Sequence, residues 1–519
     1  MHADRRLLVA ALVALAAAGC GTTVHGVGMT STSGLGGPGN ESLSVAGGGN
    51  TAAGGPAVGA TGATDPVVPV GAGGGASAAA GGAGNVPATT GQPLTQGVGV
   101  TATKIYVGVA YTTNADAVNA SIGGGALTSG DEKADAQAVI DDINAHGGVA
   151  GRKLVPVWAT YDAESQETNA NQDQAVCATL TQDNHVAAAI GIGYTDTFLN
   201  CIEKSGAIDI ASSNIDPDQQ YFRQHPYYFQ IGTLSQDRMM TQLVRSLVRE
   251  RYFSGWDSTN GKPATAPAGA KVGVIGYDSP SWVRAEQHVL EPALRAAGYA
   301  VAPGDVRMVY TPQSTSDDAR TLGEIQNAAL QFRQDGVTHV VLLDTGGQFL
   351  IFFGKDAKSQ HYYPRYGLES GSGMQGIYDA GLVDADQLNG AMGFSWEPSI
   401  DLSATAGDKY QNAATKHCLK VMKDRTGQTY DSTNAASLAL GYCDEIYLFA
   451  KAAATAGPTI NHVTLRAAIE RLGYGFAPSF VPESFFGPNR HDGVEDGWDE
   501  AWDSQCRCTK FTTAAYRIP

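Results

Sequence analysis

Side chains that could bind a charged small molecule follow apolar runs typical of buried strands. The segments "GIGYTDT" (191–197) and "ASSNIDP" (211–217) place hydroxyl and amide groups before predicted helices, where backbone N–H groups also suit an anion. The segment "YGLESGSG" (366–373) ends a predicted strand and carries one carboxylate, which suits a cation. The candidate binding residues are Tyr111, Tyr194, Thr195, Ser212, Ser213, Asn214, Tyr277, Trp282, Gln348 and Glu369.

Each kind of candidate also has a purely structural alternative. Thr195 and Ser213 are residue types that cap helices and form turns. The aromatic rings of Tyr277 and Trp282 could pack inside a lobe or close over the apolar part of a ligand. Glu369 could cap a helix that begins near residue 374, or act as a general base, although no nucleophile accompanies it.

Motifs for catalysis or cofactor binding are missing from the sequence. It contains no G-x-S-x-G, HExxH or P-loop motif, and its 11 histidines form no pair at helical spacing. The acidic segment 491–503 lacks the oxygen-ligand pattern of an EF-hand loop. The formal net charge of −17, without a cluster of lysine or arginine, argues against nucleic-acid binding. We therefore expect no enzyme activity, no cofactor and no metal site.

The elements that must position the candidates alternate between strands and helices. From Lys104 onward, β-branched runs such as "KIYVGVAY" and "KVGVIGYD" alternate with amphipathic segments that often end in glycine. This alternation predicts parallel sheets covered by helices on both faces. Two successive sets of units predict an α/β protein with two doubly wound lobes, followed by helical segments after residue 396 and a final pair of strands.

The run "DINAHGGVAGRKLVPVWATYD" (142–162) resembles the corresponding segment of bacterial solute-binding proteins of the leucine/isoleucine/valine-binding type. The order of elements and the segment "YGLES" fit the same family. The resemblance implies the type I periplasmic-binding fold, in which three crossing hinge strands join two lobes around a ligand cleft. The first lobe would hold residues 104–231 and 397–475, and the second would hold 232–396 and 476–519.

The resemblance also implies roles for some of the candidates. Thr195 and Ser213 would bind the α-carboxylate of an amino acid, and Glu369 would pair with its ammonium group. The sequence departs from the family in a longer loop after the first strand and in Tyr194–Thr195, where a serine is common. These departures change the size and polarity of the pocket, so the resemblance leaves the identity of the ligand open.

The N-terminal segment has the pattern of an export signal. Arg5 and Arg6 precede the apolar run 7–18, which is too short to span a bilayer. The segment "LAAAGC" resembles the lipobox of bacterial lipoproteins and predicts cleavage after residue 19 and acylation of Cys20. An ordinary secretory signal is the alternative. Residues 20–103 are rich in glycine and alanine and predict a disordered tether to the outer face of the cell membrane.

Six cysteines remain if Cys20 is acylated, and an even number in an exported chain indicates disulfide bonds. We expect Cys177 to pair with Cys201 and Cys418 with Cys443, because each of these pairs falls on neighbouring helices. Cys506 and Cys508 would form the third pair, although so small a ring is strained.

The leading hypothesis is an extracytoplasmic solute-binding protein. It would close on an amino acid or a similar small amine-bearing solute and deliver it to the permease subunits of an ABC importer. The alternative is a ligand-sensing subunit of a membrane signalling system, and an exported hydrolase is a third, weaker hypothesis.

Overall fold

Two separate β-sheets organise the structure, a computed structural model that describes residues 96–121, 123–191, 193–212, 216–265, 269–344, 346–430 and 433–519. The predicted signal peptide (1–19), the lipidation site Cys20 and most of the predicted tether lie outside these residues, as do Ser213 and Asn214. Residues 96–103, which the sequence assigns to the tether, contact the body: Gly97 N–H donates to the Ile460 carbonyl at 2.8 Å.

The first sheet is parallel and has the strand order β2-β1-β3-β4-β5. Its strands are β1 (Lys104–Thr113), β2 (Lys153–Asp162), β3 (Ala188–Ile190), β4 (Ile208–Ala211) and β5 (Tyr228–Gln230). The central strands β3 and β4 are buried along their whole length, because helices cover both faces of the sheet. The edge strand β2 is only partly buried.

The second sheet has the order β14-β13-β12-β11-β10-β8-β9, with β15 paired to β13. Its strands are β8 (Val272–Tyr277), β9 (Val306–Val309), β10 (His339–Leu342), β11 (Arg365–Glu369), β12 (Met392–Ser395), β13 (Asp496–Asp503), β14 (Cys508–Phe511) and β15 (Tyr516–Arg517). The pairs from β9 to β12 are parallel, and β13 to β15 add antiparallel strands at one edge. A small hairpin, β6 (Trp256–Asp257) with β7 (Lys262–Pro263), stands apart from both sheets.

Helices follow most of the parallel strands. They are α1 (Ala115–Ser121), α2 (Glu132–Ala145), α3 (Asn169–Cys177), α4 (Asp196–Ser205), α5 (Gln219–Gln224), α6 (Gln236–Arg249), α7 (Pro280–Ala285), α8 (Glu291–Ala296), α9 (Asp318–Gln334), α10 (Gln348–Ser359), α11 (Met374–Asp379), α12 (Pro398–Asp401), α13 (Ala404–Gly407), α14 (Ala413–Thr426), α15 (Thr433–Thr455) and α16 (His462–Glu470). Local capping fixes several ends: Asp131 accepts the Ala134 N–H at the start of α2, and Gly206 ends α4 in a left-handed conformation.

Across the described residues the chain passes between the two sheets three times, after β5, after β12 and after α16. Between the last two passages, α14 and α15 pack on α2, and α15 also contacts β3 and β4. We call the first sheet with these helices the first lobe, and the second sheet with its helices the second lobe. This arrangement confirms the predicted α/β fold of two parallel-sheet lobes. The residue limits given above for each lobe stay a prediction.

The last of these passages is not a regular strand. Isolated β-bridges join Gln230 to Asp492 and Ser484 to Val494 along it. The structure also brings the six cysteines together in the expected pairs. The Cα–Cα distances are 6.3 Å for Cys177 and Cys201, 6.0 Å for Cys418 and Cys443, and 5.2 Å for Cys506 and Cys508, all of which a disulfide can span. No helix among the described residues is both long and apolar enough to cross a membrane.

Candidate functional site

Glu369 lies at the carboxyl end of β11 and is 2% exposed. Its Oε2 accepts the Gly371 N–H at 2.6 Å, which caps the short turn Ser370–Ser372 and not α11. A Cβ added to Gly371 would lie 2.9 Å from Glu369 Oε1, so only glycine lets the turn approach the carboxylate this closely. Oε1 is buried and has no hydrogen-bond partner among the described residues. One oxygen of the carboxylate therefore caps the turn, and the other can accept a hydrogen bond from another group.

Glu369 lines a cavity between the two lobes. The empty space, counted with its opening to solvent, is about 290 Å³. Three further acids and two tryptophans line the cavity: Asp216, Asp344, Glu397, Trp282 and Trp396. No lysine, arginine or histidine is present among the described residues of its wall. The site is thus acidic and aromatic, a combination that suits an organic cation.

Burial raises the pKa of Glu369 well above its ordinary value, and the carboxylates of Asp344 and Asp216 raise it further. The Gly371 N–H opposes these effects only in part. A positive charge placed near Oε1 would favour the ionised form of Glu369 and lower its pKa.

Both tryptophans are held by hydrogen bonds of their indole N–H groups. Trp282 Nε1 donates to Asp216 Oδ2 at 3.2 Å, and Trp396 Nε1 donates to the Gly232 carbonyl at 3.2 Å. Trp282 belongs to α7 of the second lobe and Asp216 follows β4 of the first, so the first of these bonds spans the cleft. Both indole rings are thereby held at the wall of the cavity.

Two of the groups expected to bind an anion lie against carboxylates of the protein. The Thr195 hydroxyl donates to Asp173 Oδ2 at 2.5 Å and caps α4 by accepting the Thr197 N–H. The Ser212 N–H donates to Glu445 Oε1 at 2.5 Å. Neither Thr195 nor Ser212 lines the cavity around Glu369. Their role toward a ligand carboxylate stays a prediction.

The remaining tyrosines and Gln348 pack within their own lobes. The Tyr277 hydroxyl contacts Gln348 Oε1, and the Tyr277 ring lies 4.7 Å from the ring of Phe349. Tyr194 packs on Tyr161, with ring centroids 4.3 Å apart.

Tyr111 is partly exposed and meets the Trp158 ring edge-on, with centroids 6.1 Å apart. Of the ten candidates, the structure brings only Trp282 and Glu369 to this cavity among the residues it describes.

Sequence reasoning missed four lining residues that the same principle could have found. Asp344 follows β10 within two residues, and Trp396 and Glu397 directly follow β12. Side chains just past parallel strands converge at one edge of a sheet, which is the usual place for a ligand. Asp216 lies in the loop "ASSNIDP", whose hydroxyls were chosen instead.

The mouth of the cleft is closed by direct contacts between the lobes. Arg284 of α7 donates from Nε and Nη2 to Asp218 at 2.5 and 3.0 Å. Asn169, at the start of α3, donates its N–H to the Gln313 carbonyl at 2.8 Å and its side-chain amide to the Pro312 carbonyl at 3.2 Å. These contacts hold the two walls of the cavity together.

No group of three or more His, Cys, Asp or Glu side chains in the described part of the chain is arranged to hold a metal ion.

Comparison with known proteins identifies similar sequences and folds. Residues 104–498 match the family model described as periplasmic binding protein. A possible leucine/isoleucine/valine-binding protein from Rhodopirellula baltica SH 1 has a TM-score of 0.52 and 14% identity, over 80% of this chain and 97% of that one. A solute-binding protein of an ABC transporter from Rhodopseudomonas palustris BisB5, in complex with 3,4-dihydroxybenzoic acid, has a TM-score of 0.54 and 12% identity, over 80% and 98%.

A fatty acid ABC transporter substrate-binding protein from Thermomonospora curvata has a TM-score of 0.52 and 15% identity, over 82% of this chain and 97% of that one. At such identities the likeness concerns the fold alone. A search of curated proteins found no significant match.

Proposed function

Because the chain belongs to the periplasmic binding protein family, we propose that it captures an amino acid or a similar small amine-bearing solute outside the cytoplasm and delivers it to an ABC importer. The observation that carries this proposal is Oε1 of Glu369, which is buried in a cavity between two lobes and has no hydrogen-bond partner in the part of the chain that the structure describes. An ammonium group at this oxygen would compensate a carboxylate that burial otherwise disfavours.

Capture would proceed by closure of the lobes around the solute, without chemical change. Closure is favoured when the ligand contacts both walls, because only the closed form offers all of these contacts. The permease subunits would then receive the loaded protein. Acylation of Cys20 and a flexible tether would keep the body near the membrane, and a glycine-rich chain of this length has a reach of roughly 50 Å.

A thermal-shift screen of the full chain in detergent against amino acids, their amides, polyamines and short peptides tests the function. A true ligand at 100 times its Kd stabilises the folded protein by about 2.7 kcal/mol. We expect such a shift with amine-bearing compounds, and we expect Glu369→Gln to remove the shift with little loss of stability. A screen in which no compound class shifts the transition would overturn the proposal.

A further inference from the structure

We propose that the cavity selects a small organic cation without a carboxylate group, such as an aliphatic monoamine or diamine, over a zwitterionic amino acid. The inference rests on the proposed solute-binding function and narrows its ligand class. It is carried by two features of the structure: the described wall of the cavity has several acids and no basic side chain, and several donor groups near it already serve carboxylates of the protein.

The wall of the cavity offers a cation several partners. Glu369 Oε1 has no hydrogen-bond partner among the described residues, and the acids Asp216 and Asp344 lie on the same wall. The indole rings of Trp282 and Trp396 add aromatic surface, which attracts ammonium groups through the ring faces. A cation would therefore meet favourable charge from more than one side.

The carboxylate of an amino acid would meet the opposite situation. It would need N–H groups, hydroxyls or basic side chains, and the described wall has no lysine, arginine or histidine. Of the groups expected to bind it, Thr195 lies against Asp173 and the Ser212 N–H against Glu445, which leaves Thr233 and Gln236 as neutral polar side chains on the wall. A ligand carboxylate would have to displace these acids or remain among Asp216, Asp344 and Glu397, where like charges repel.

Asp344 occupies the start of a helix beside the cavity. Its two oxygens accept the N–H groups of Phe349 and Leu350, at 3.1 and 3.0 Å, at the start of α10. The positive end of this helix is thus used by a carboxylate of the protein itself, and a ligand anion cannot take its place without removing Asp344. In the second lobe the start of α10 thus serves a protein acid, as Thr195 and the Ser212 N–H do in the first.

The size of the cavity indicates a small ligand. The space left for a molecule inside it is about 10 Å³, room for about one water molecule, so any ligand must widen the cleft. A short aliphatic amine requires less widening than a peptide.

Three compounds of matched length test the proposal by isothermal titration calorimetry on the full chain. n-Butylamine, 1,4-diaminobutane and 4-aminobutyrate share one ammonium group and differ at the other end, which is a methyl group, a second ammonium or a carboxylate. Leucine and leucinamide form a second matched pair. We expect each carboxylate-free compound to bind at least tenfold more tightly than its carboxylate-bearing partner.

The outcomes separate this inference from the proposed function. Binding of 4-aminobutyrate or leucine as tight as, or tighter than, that of the matched cation overturns the inference and leaves the solute-binding function standing. Absence of binding by every compound here and in the wider screen overturns both. Tight binding of the cations alone supports both, and the strength of 1,4-diaminobutane relative to n-butylamine shows whether a second ammonium is recognised.

A pair of variants locates the binding site. Glu369→Gln should weaken cation binding at least tenfold, whereas Glu291→Gln, which removes the same charge on the surface of α8, should leave affinity within twofold. Equal affinities of the two variants would overturn the placement of the cation at Glu369. The ligand comparison uses the unaltered chain, so it decides the selectivity even where the Glu369→Gln chain fails to fold.

Discussion

The ion pair between Arg284 and Asp218 joins the two lobes at the mouth of the cleft, and its removal should weaken ligand binding without touching the ligand. Arg284 lies on α7 of the second lobe, and Asp218 caps α5 in the first by accepting the Tyr221 N–H. Neither residue lines the cavity around Glu369. The perturbation is Arg284→Ala, which keeps the Asp218 cap and deletes the contact across the cleft together with one long hydrogen bond to Ser281 within α7.

The expected magnitude follows from the geometry and the burial of the pair. The two donors of Arg284 form a bidentate contact, and hydrogen bonds to charged groups contribute about 1.5–3 kcal/mol. The Asp218 side chain is 4% exposed, but Arg284 is 27% exposed, so solvent screening reduces this value toward that of surface pairs, about 0.2–1 kcal/mol. An intermediate value of about 1.4 kcal/mol corresponds to a tenfold change in the closure equilibrium.

Stopped-flow and calorimetric binding measurements on the full chain test this reasoning. We expect Arg284→Ala to raise Kd about tenfold, mostly through faster dissociation, because the pair forms only after the lobes meet. The melting temperature without ligand should change little.

Arg295→Ala is the matched control, since Arg295 pairs with Glu291 within α8 of a single lobe. Unchanged affinity in Arg284→Ala, or an equal loss in Arg295→Ala, would refute the idea that this pair stabilises closure.

Two further predictions concern the stability of the first lobe and of the C-terminal strands. Burial raises the pKa of Glu445 from 4.5 to about 8, so its contribution to stability is present in full below about pH 4.5 and is lost as the pH rises to about 8. The melting temperature should therefore fall between pH 5 and pH 8, and Glu445→Gln should flatten this slope in differential scanning calorimetry; an unchanged slope would count against it. Replacing Cys418 and Cys443 by alanine opens a loop of sequence separation 25 and should lower the free energy of unfolding by about 3 kcal/mol in urea titrations. The same replacement of Cys506 and Cys508, separated by only two positions, should change it by less than about 1 kcal/mol, and equal losses would contradict the loop-entropy argument.

The sequence predicted the fold well because its main signals are local. The runs that became β1 and β8 are β-branched and apolar, and each is followed by helical periodicity, so their strand character needs no distant partner. The change to helices after residue 396 was readable in the same way. Periodicity does not predict that the chain crosses back between the lobes. Only the family resemblance predicts these crossings.

The composition of the cavity was harder to predict, because it depends on contacts between distant segments. Glu369 ends a strand and lines the cavity, but nothing near Thr195 in the sequence shows that Asp173, 22 positions earlier, accepts a hydrogen bond from its hydroxyl. The contact between Tyr277 and Gln348 likewise joins residues 71 positions apart. A polar residue at the end of a strand is predicted to lie in the cleft. Its hydrogen-bond partner, however, is determined by tertiary packing and is not visible in the local sequence.

The charges of the cavity link ligand selection to closure. Asp216 belongs to a loop of the first lobe, whereas Asp344 and Glu369 belong to the second, so Asp216 approaches the other two acids only when the cleft closes. Burial raises the pKa of Glu369, the charges of Asp344 and Asp216 raise it further, and both effects oppose closure around water with the Glu369 carboxylate ionised. A bound cation changes this repulsion into attraction from both lobes, and the Arg284–Asp218 pair then adds its contribution at the mouth. The same carboxylates thus make closure conditional on a positive charge, and a ligand carboxylate would restore the repulsion that the ammonium group removes.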